Sequence, residues 1–181
     1  MNTKETDALR YPVGKFREDG EFKNISNQQA IKVLAGFSKK LKDEVHNISE
    51  DELYYRHRPG GWTIRQIIHH LADSNMNAFC RMKLVVTEDK PTIKPYDESA
   101  WANTDDAAAA PIESSLKIIE GLMERWRILV ESMNDKDMKR TLHHPQYNKT
   151  MSADELLQMY AWHCEHHLAH IRNAKKFKNS F

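Results

Sequence analysis

Hydrophobic residues recur at steps of three and four along most of the chain, a spacing that is typical of amphipathic helices. The pattern predicts four long helices, at about residues 27–47, 63–88, 111–133 and 153–176. The strict alternation of apolar and polar residues that marks a half-buried strand is absent. The expected fold class is therefore all-α, a four-helix bundle. Three helices begin at a hydroxyl residue followed three positions later by Gln or Glu, the capping-box pattern: Ser26, Thr63 and Ser152.

The segments between these helices are irregular in sequence. Residues 1–25 carry mixed charge with Pro12 and two glycines, and we expect an irregular arm ahead of a bundle domain at 26–181. About 20 residues with two prolines join the second and third helices, and loops of that length are usually functional or mobile. Pro145 interrupts the pattern between the third and fourth helices. An up-down bundle and a bundle with a crossover are both compatible with these connections.

Composition and charge limit the classes of function. The length of 181 residues suits one domain, and 27 basic against 26 acidic residues give a formal charge of +1. That balance argues against a nucleic-acid binder that uses a broad basic face. The single basic run, the terminal KKFK, is too short to provide one. Cys80 and Cys164 make no disulfide framework, and the sequence has neither a membrane-spanning run nor a signal-peptide core. We therefore expect a cytoplasmic protein with no membrane or nucleic-acid partner.

Histidine is the exception in this composition, with ten residues in the chain. At about 100° per residue, four of them fall within roughly a third of the circumference of the last helix and continue its apolar stripe. Burying four imidazoles on one face is costly unless each finds a partner, and neutral imidazole commonly binds transition metals. A set of ordinary hydrogen-bonded histidines is the simpler alternative. In WHCEHHLAHIR the four are His163, His166, His167 and His170.

A further metal ligand must come from another element. The second helix offers His70, which shares a face with polar residues, whereas His69 lies about 100° away and is expected at the periphery. Asp73 could orient a ligand by accepting its N–H, or it could lie solvated at the surface. One imidazole of His143 and His144 could approach the site from the end of the bundle, although a solvent-exposed turn explains them equally well.

The ligand types indicate the kind of site. A zincin helix needs Glu directly after the first His, whereas Glu165 stands two residues after His163 and points away from the cluster. Three histidines without a protein carboxylate resemble catalytic zinc sites, which keep one coordination position open. Helix geometry leaves two registers open for the pair on the last helix: His163 with His167, and His166 with His170.

Four stretches resemble motifs of the DinB-like superfamily and follow each other in the same order as in that family. The resemblance is greatest to its YfiT branch. The stretches are GGWTIRQIIHHLADSNMNAFCRMKLVVTE, IKPYDESAW, HHP and WHCEHHLAHI. That branch is described as metal-dependent hydrolases and is also linked to bacillithiol S-transfer. The resemblance implies a four-helix bundle with one divalent metal ion per chain, zinc or nickel, held by His70, His166 and His170. It makes His163 and His167 neighbours of these ligands, and it implies a homodimer.

Two functions follow from such a site. In the first, a metal ion held by three histidines activates a low-molecular-weight thiol for transfer, or water for hydrolysis, with His163 or Asp73 assisting. The lack of an obvious carboxylate base beside the ligands favours the thiol. In the second, the bundle binds metal without catalysis, as a stress-response protein. A small-molecule substrate is expected, and candidates for its pocket are Tyr96, Asp97 and Trp101 of the long loop with Arg81 as an anion contact.

Overall fold

Four long helices frame the molecule, as the hydrophobic pattern predicts. The computed structural model describes residues 3–180. The prediction of an all-α four-helix bundle is confirmed, with α2, α3, α6 and α8 as the bundle helices. In chain order the elements are α1 (Thr3–Arg10), α2 (Asn27–Glu44), a 3-10 turn (Glu52–Tyr54), α3 (Ile64–Thr87), α4 (Glu98–Trp101), α5 (Asp105–Ala109), α6 (Glu113–Glu131), α7 (Asp135–Met138), β1 (Thr141–His144), β2 (Lys149–Ser152) and α8 (Ala153–Phe177).

Local hydrogen bonds explain where the bundle helices begin. At Ser26 and Thr63 both halves of the capping box form, so the side chain and the backbone of the cap are each paired with the third helical residue. Caps of this kind stabilise a helix by about 1 kcal/mol. Ser152 also stands at the start of its helix, but its hydroxyl bonds to the carboxylate of Asp154 instead of the helix backbone.

The order of the helices around the bundle settles the topology that the sequence leaves open. Helix α2 packs against α6 and α8, and α3 packs against the same two helices. The first two bundle helices therefore lie at opposite corners, and so do the last two: α2 is diagonal to α3, and α6 is diagonal to α8. As a result α3 and α8, the two histidine-bearing helices, are direct neighbours although more than sixty residues separate them in the chain.

Large apolar side chains fill the space between the four helices, and Arg65 of α3 is buried with them. Its guanidinium donates a 2.6 Å hydrogen bond to the carbonyl of Ala110 and pairs with Glu50, which holds the end of the long loop against α3. No helix among the described residues is long and apolar enough to cross a membrane. The largest fully buried apolar side chains include Trp126, Phe37, Leu34, Leu41, Ile64, Ile67, Ile68, Leu71, Met82 and Ile119.

A short β-hairpin occupies the segment that Pro145 interrupts, where the sequence analysis expects no strand. Its strands β1 and β2 are antiparallel and pair from Thr141 with Ser152 to His144 with Lys149. Each strand has four residues, which is too short for alternation to be visible in the sequence. The backbone of His143 also bonds to Pro91 and Ile93, so the hairpin anchors the start of the long loop.

The N-terminal segment packs along α8. Helix α1 lies within the stretch that the sequence analysis expects to be irregular, and its eight residues are too few to show a clear pattern. The indole N–H of Trp162 donates a 2.9 Å hydrogen bond to the carbonyl of Gly14, and Arg17 bonds to Gln158 and Glu155. These bonds hold the N-terminal segment against the histidine-rich helix α8. The division between arm and domain at residue 26 stays a prediction.

Candidate metal centre

His70 of α3 faces two histidines of α8 that stand one helical turn apart, His163 and His167. The Nε2 atoms of His70 and His163 are 3.2 Å apart, and one ligand atom from each of the three side chains lies within 4.8 Å of the others. The ring centroids of His163 and His167 are 4.5 Å apart. The ring of Trp62 packs on both His70 and His167, which restricts how these two imidazoles can turn.

Burial keeps these three imidazoles neutral. Loss of solvent lowers the pKa of His70 to about 4, and it lowers the pKa values of His163 and His167 well below the usual range. A neutral imidazole has one nitrogen lone pair that can bind a metal ion. The Nδ1 atom of His163 is buried with no hydrogen-bond partner among the described residues.

The geometry and chemistry of this cluster fit a metal ion. Metal–nitrogen bonds of about 2.0–2.1 Å at a tetrahedral angle would place two ligand nitrogens roughly 3.3 Å apart. The separation of 3.2 Å between His70 and His163 is close to that value. Cys164 and Glu165 lie elsewhere, as the sequence analysis expects, because the thiol contacts Asn75 and the carboxylate pairs with Lys40. The donor set is therefore three imidazoles, which suits zinc or nickel.

The predicted ligands His166 and His170 lie in a neighbouring cluster and not with His70. Ligand atoms of His166, His167 and His170 also fall within 4.8 Å of one another, and the rings of His166 and His170 are 4.2 Å apart. The ring of His57 stacks on His170 at 4.0 Å. The structure therefore divides the four histidines of α8 between two clusters that share His167.

Two other candidates on α3 turn away from the histidines of α8. The Nε2 atom of His69 donates to the carbonyl of Ala110, and its Nδ1 accepts from the hydroxyl of Ser115, so both ring nitrogens have partners. Partial burial and the nearby carboxylate of Asp106 raise the pKa of Asp73. Asp73 therefore faces the side of α3 on which α5 packs, and its carboxylate is not among the converging ligand atoms of the described residues.

A cavity of about 230 Å³ opens beside His70 and His163. Arg81 and Tyr160 meet in its wall, where the guanidinium donates a 2.9 Å hydrogen bond to the tyrosine hydroxyl. Ser74, one turn beyond His70 on α3, lies beside them. The other lining residues come from the arm, the loop, the hairpin and α8: Phe16, Tyr96, Glu98, His144, Tyr147, Lys149, Met151, Met159 and Trp162.

Of the four sequence-based candidates for this pocket, two line the cavity in the structure and two do not. Tyr96 and Arg81 line the cavity. Asp97 caps α4 by accepting a hydrogen bond from the backbone of Ala100, and the ring of Trp101 packs at a tilt against Tyr96 from outside with 40% of its surface exposed. The sequence analysis does not single out Glu98 or Tyr160, and it includes Ser74 only as one of the polar residues on the face of His70. Only Ser74 carried a signal, since it follows His70 by one helical turn.

The environment of His144 shows how the hairpin contributes to the cavity. Its ring stacks on Tyr147 at 4.5 Å, and its Nδ1 atom is buried without a hydrogen-bond partner in the part of the chain that the structure describes. Burial and the charge of Arg81 lower its pKa. A neutral imidazole with a free ring nitrogen is suited to accept a proton near neutral pH.

Comparisons with known proteins agree with this geometry. A protein of Oceanobacillus iheyensis is 45% identical over 170 residues, covering 94% of this chain and 98% of its own, and YfiT of Bacillus subtilis is 38% identical over 163 residues, covering 90% and 92%. Both carry the name "Putative metal-dependent hydrolase".

Solved structures extend these comparisons. The YfiT structure, described as "a probable metal-dependent hydrolase with an unusual four-helix bundle topology", has a TM-score of 0.88 and 37% identity, covering 94% of this chain and 98% of its own. A mycothiol-dependent maleylpyruvate isomerase shares the fold, with a TM-score of 0.63 and 14% identity, covering 83% and 62%. The model of the DinB superfamily matches residues 38–171, the part that holds every histidine of both clusters. With its bundle order, histidine clusters and close relatives in agreement, this chain belongs to the DinB superfamily.

Proposed function

We propose that this chain is a metal-dependent enzyme that activates a low-molecular-weight thiol and transfers it to an electrophilic small molecule. One observation carries the proposal: the neutral imidazoles of His70, His163 and His167 converge, and two of them, His70 and His163, line a cavity large enough for a small substrate. A divalent ion held by these residues would supply Lewis acidity and lower the pKa of a thiol or water molecule at its open position.

The wall of the cavity supports a small and partly apolar substrate. Aromatic rings and methionine side chains make up much of the lining, and such surfaces bind apolar groups and keep water out. Arg81 is 8% exposed and carries a fixed positive charge beside the hydroxyl of Tyr160. This pair can hold an anionic group of the substrate or stabilise negative charge that develops on the electrophile.

The transfer step balances with groups that line the cavity. The thiol gives its proton to a base, its sulfur forms a bond to the electrophilic carbon, and the leaving group departs with its bonding pair. His144 is suited to accept that proton because its Nδ1 atom has no hydrogen-bond partner among the described residues and its lowered pKa keeps the ring unprotonated. A bound ion would occupy the lone pairs of His70, His163 and His167, so the base must be another residue.

Hydrolysis is the second candidate, and Glu98 favours it. Its carboxylate lines the same cavity as His144, which supplies the acidic group that the sequence analysis does not find beside the ligands. A carboxylate can act as general base toward water. The names of the close relatives point the same way.

A two-arm assay separates these functions. In one arm the zinc- or nickel-loaded protein is given bacillithiol with a chromogenic electrophile, and in the other it is given a panel of esters and amides. We expect metal-dependent activity in the thiol arm, lost in His163→Ala and kept in His46→Ala, since His46 is an exposed histidine far from the site in sequence. Activity confined to the ester and amide arm would replace thiol transfer by hydrolysis, and metal binding without activity in either arm would favour a non-catalytic bundle.

A further inference from the structure

The proposed function uses one of the two histidine clusters and leaves His166 and His170 without a role. Both side chains are almost completely buried, with 7% and 4% of their surfaces exposed. Their ring centroids are 4.2 Å apart, and His167 completes the group with a ligand atom within 4.8 Å of both. A buried set of imidazoles is costly unless the ring nitrogens have partners.

Hydrogen bonds fix which nitrogens of this cluster are free. The Nε2 atom of His170 lies 3.2 Å from the carbonyl of Arg10 and must donate to it, so the lone pair of this neutral ring is on Nδ1. That Nδ1 atom lies 3.4 Å from the Nδ1 of His167. The Nδ1 of His166 is buried with no hydrogen-bond partner among the described residues. Nitrogens about 3.3 Å apart suit two ligands of one tetrahedral ion.

His167 belongs to both clusters, and its Nδ1 atom is the one that faces His170. While its Nδ1 holds the proton and donates to His170, its lone pair is on Nε2 and is not available to the cluster with His166 and His170. When the proton moves to Nε2, the lone pair is on Nδ1 and faces His170. A neutral imidazole has a single lone pair, so His167 can complete only one of the two clusters at a time.

We propose that His166, His167 and His170 form a second metal site, which overlaps the first through His167, so that the chain holds one ion in either of two positions. The donor set is imidazole alone, which selects transition metals such as zinc, nickel and copper over magnesium and calcium. An ion in the second position lies away from Arg81 and Tyr160, and that position therefore stores the metal without supporting the reaction.

Charges near the second site make it the weaker of the two. A separate cavity of about 320 Å³ adjoins His166 and His170, and Arg10 and Arg58 line it. Among the residues that the structure describes, no acidic side chain lines this cavity to offset the two guanidinium groups. The cavity beside His70 and His163 is also lined by two cations, Arg81 and Lys149, but Glu98 offsets part of their charge. Positive charge opposes the binding of a cation, so the ion prefers the position at His70 and His163 in the wild-type protein.

Titration of metal-free protein with Co²⁺, followed by calorimetry and by the visible absorption of the bound ion, tests the overlap. We expect one ion per chain in the wild type and one ion in His70→Ala, with an affinity at least tenfold lower and a changed Co²⁺ spectrum. The double variant His70→Ala/His166→Ala should lose this residual binding. His70→Ala/His46→Ala is the matched control, because it removes an exposed histidine and should bind as His70→Ala does.

Three results would overturn the proposal: no ion bound by His70→Ala, unchanged binding after His166→Ala is added, or two ions bound by the wild type. Circular dichroism checks that each variant is folded, and His163→Gln replaces His70→Ala with the same expectations where folding is lost. Stoichiometry and spectrum are measured without substrate. A failed second site therefore leaves the proposed function untouched, and a failed activity assay leaves the second site untouched.

Discussion

The guanidinium of Arg81 donates a 2.9 Å hydrogen bond to the hydroxyl of Tyr160, which joins α3 to α8 at the wall of the cavity. Both side chains are buried, so the hydroxyl is a partner that water cannot easily replace. Burial raises the pKa of Tyr160, and the hydroxyl therefore stays protonated and neutral at physiological pH.

Tyr160→Phe should lower both stability and activity. It removes the acceptor of a buried cation, and leaving such a group short of a partner costs about 1–3 kcal/mol. We expect a loss of that size in the free energy of unfolding measured by urea denaturation, and a fall in kcat/KM of about tenfold or more. Tyr147→Phe is the control, because Tyr147 lines the same cavity but is 64% exposed. Equal effects of the two substitutions would contradict a special role for the Arg81 bond.

Glu98→Gln and His144→Gln should separate the two reaction classes. Thiol transfer with His144 as proton acceptor predicts that His144→Gln lowers kcat by about 10²–10⁴, whereas Glu98→Gln changes it less than about threefold. Hydrolysis with Glu98 as base predicts the large loss in Glu98→Gln instead. Initial rates at pH 7 with equal metal loading measure both. A small effect of each substitution would place the base elsewhere in the cavity.

Helical periodicity predicts much of this molecule but not the register of its histidines. The four bundle helices follow from long amphipathic patterns, and the polar residues that share a helix face with His70 predict it as a ligand. The last helix, however, presents two pairs at i and i+4 within one third of its circumference. Which pair meets His70 depends on how α8 is rotated against α3, and packing of distant residues fixes that rotation. The structure brings His163 and His167 to His70, whereas the resemblance pointed to His166 and His170.

The rest of the cavity is contributed by segments whose local sequence carries little signal. Glu98 lies on a four-residue helix, and His144 ends a four-residue strand. Their positions depend on backbone bonds between the long loop and the hairpin, such as the 2.8 Å bond from the N–H of His143 to the carbonyl of Pro91. Such long-range pairing has no counterpart in the periodicity of the sequence.

The buried histidines should make the metal-free protein sensitive to mild acid. Loss of solvent lowers the pKa of His70 to about 4 and that of His166 to about 3, while both titrate near 6.5 in the unfolded chain. Between these values the unfolded chain binds more protons than the folded protein, so stability is fully present above pH 6.5 and falls as the pH drops.

Urea unfolding with a chelator present, at pH values from 7.5 down to 4.5, measures this dependence. We expect the free energy of unfolding to fall steadily below about pH 6.5. His70→Gln should flatten the profile, because it removes one group that the unfolded chain protonates more readily. A profile of the wild type that stays level down to pH 5 would show that these imidazoles are not held neutral by burial.

Gly14→Ala should loosen the N-terminal segment and so disturb the part of the cavity wall that this segment forms. Gly14 has a φ of +79°, which side chains disfavour, and an added Cβ would lie 2.7 Å from the carboxylate of Asp19. Its carbonyl accepts the indole N–H of Trp162, and nearby Phe16 lines the cavity, so strain here disturbs the wall. We expect a loss of about 1–2 kcal/mol in unfolding free energy and a raised KM.

Gly121→Ala is the control, since its Cβ meets nothing within 4 Å and a helix interior gains about 0.5–1 kcal/mol from this change. A KM that stays the same in Gly14→Ala would show that the arm does not shape the substrate site.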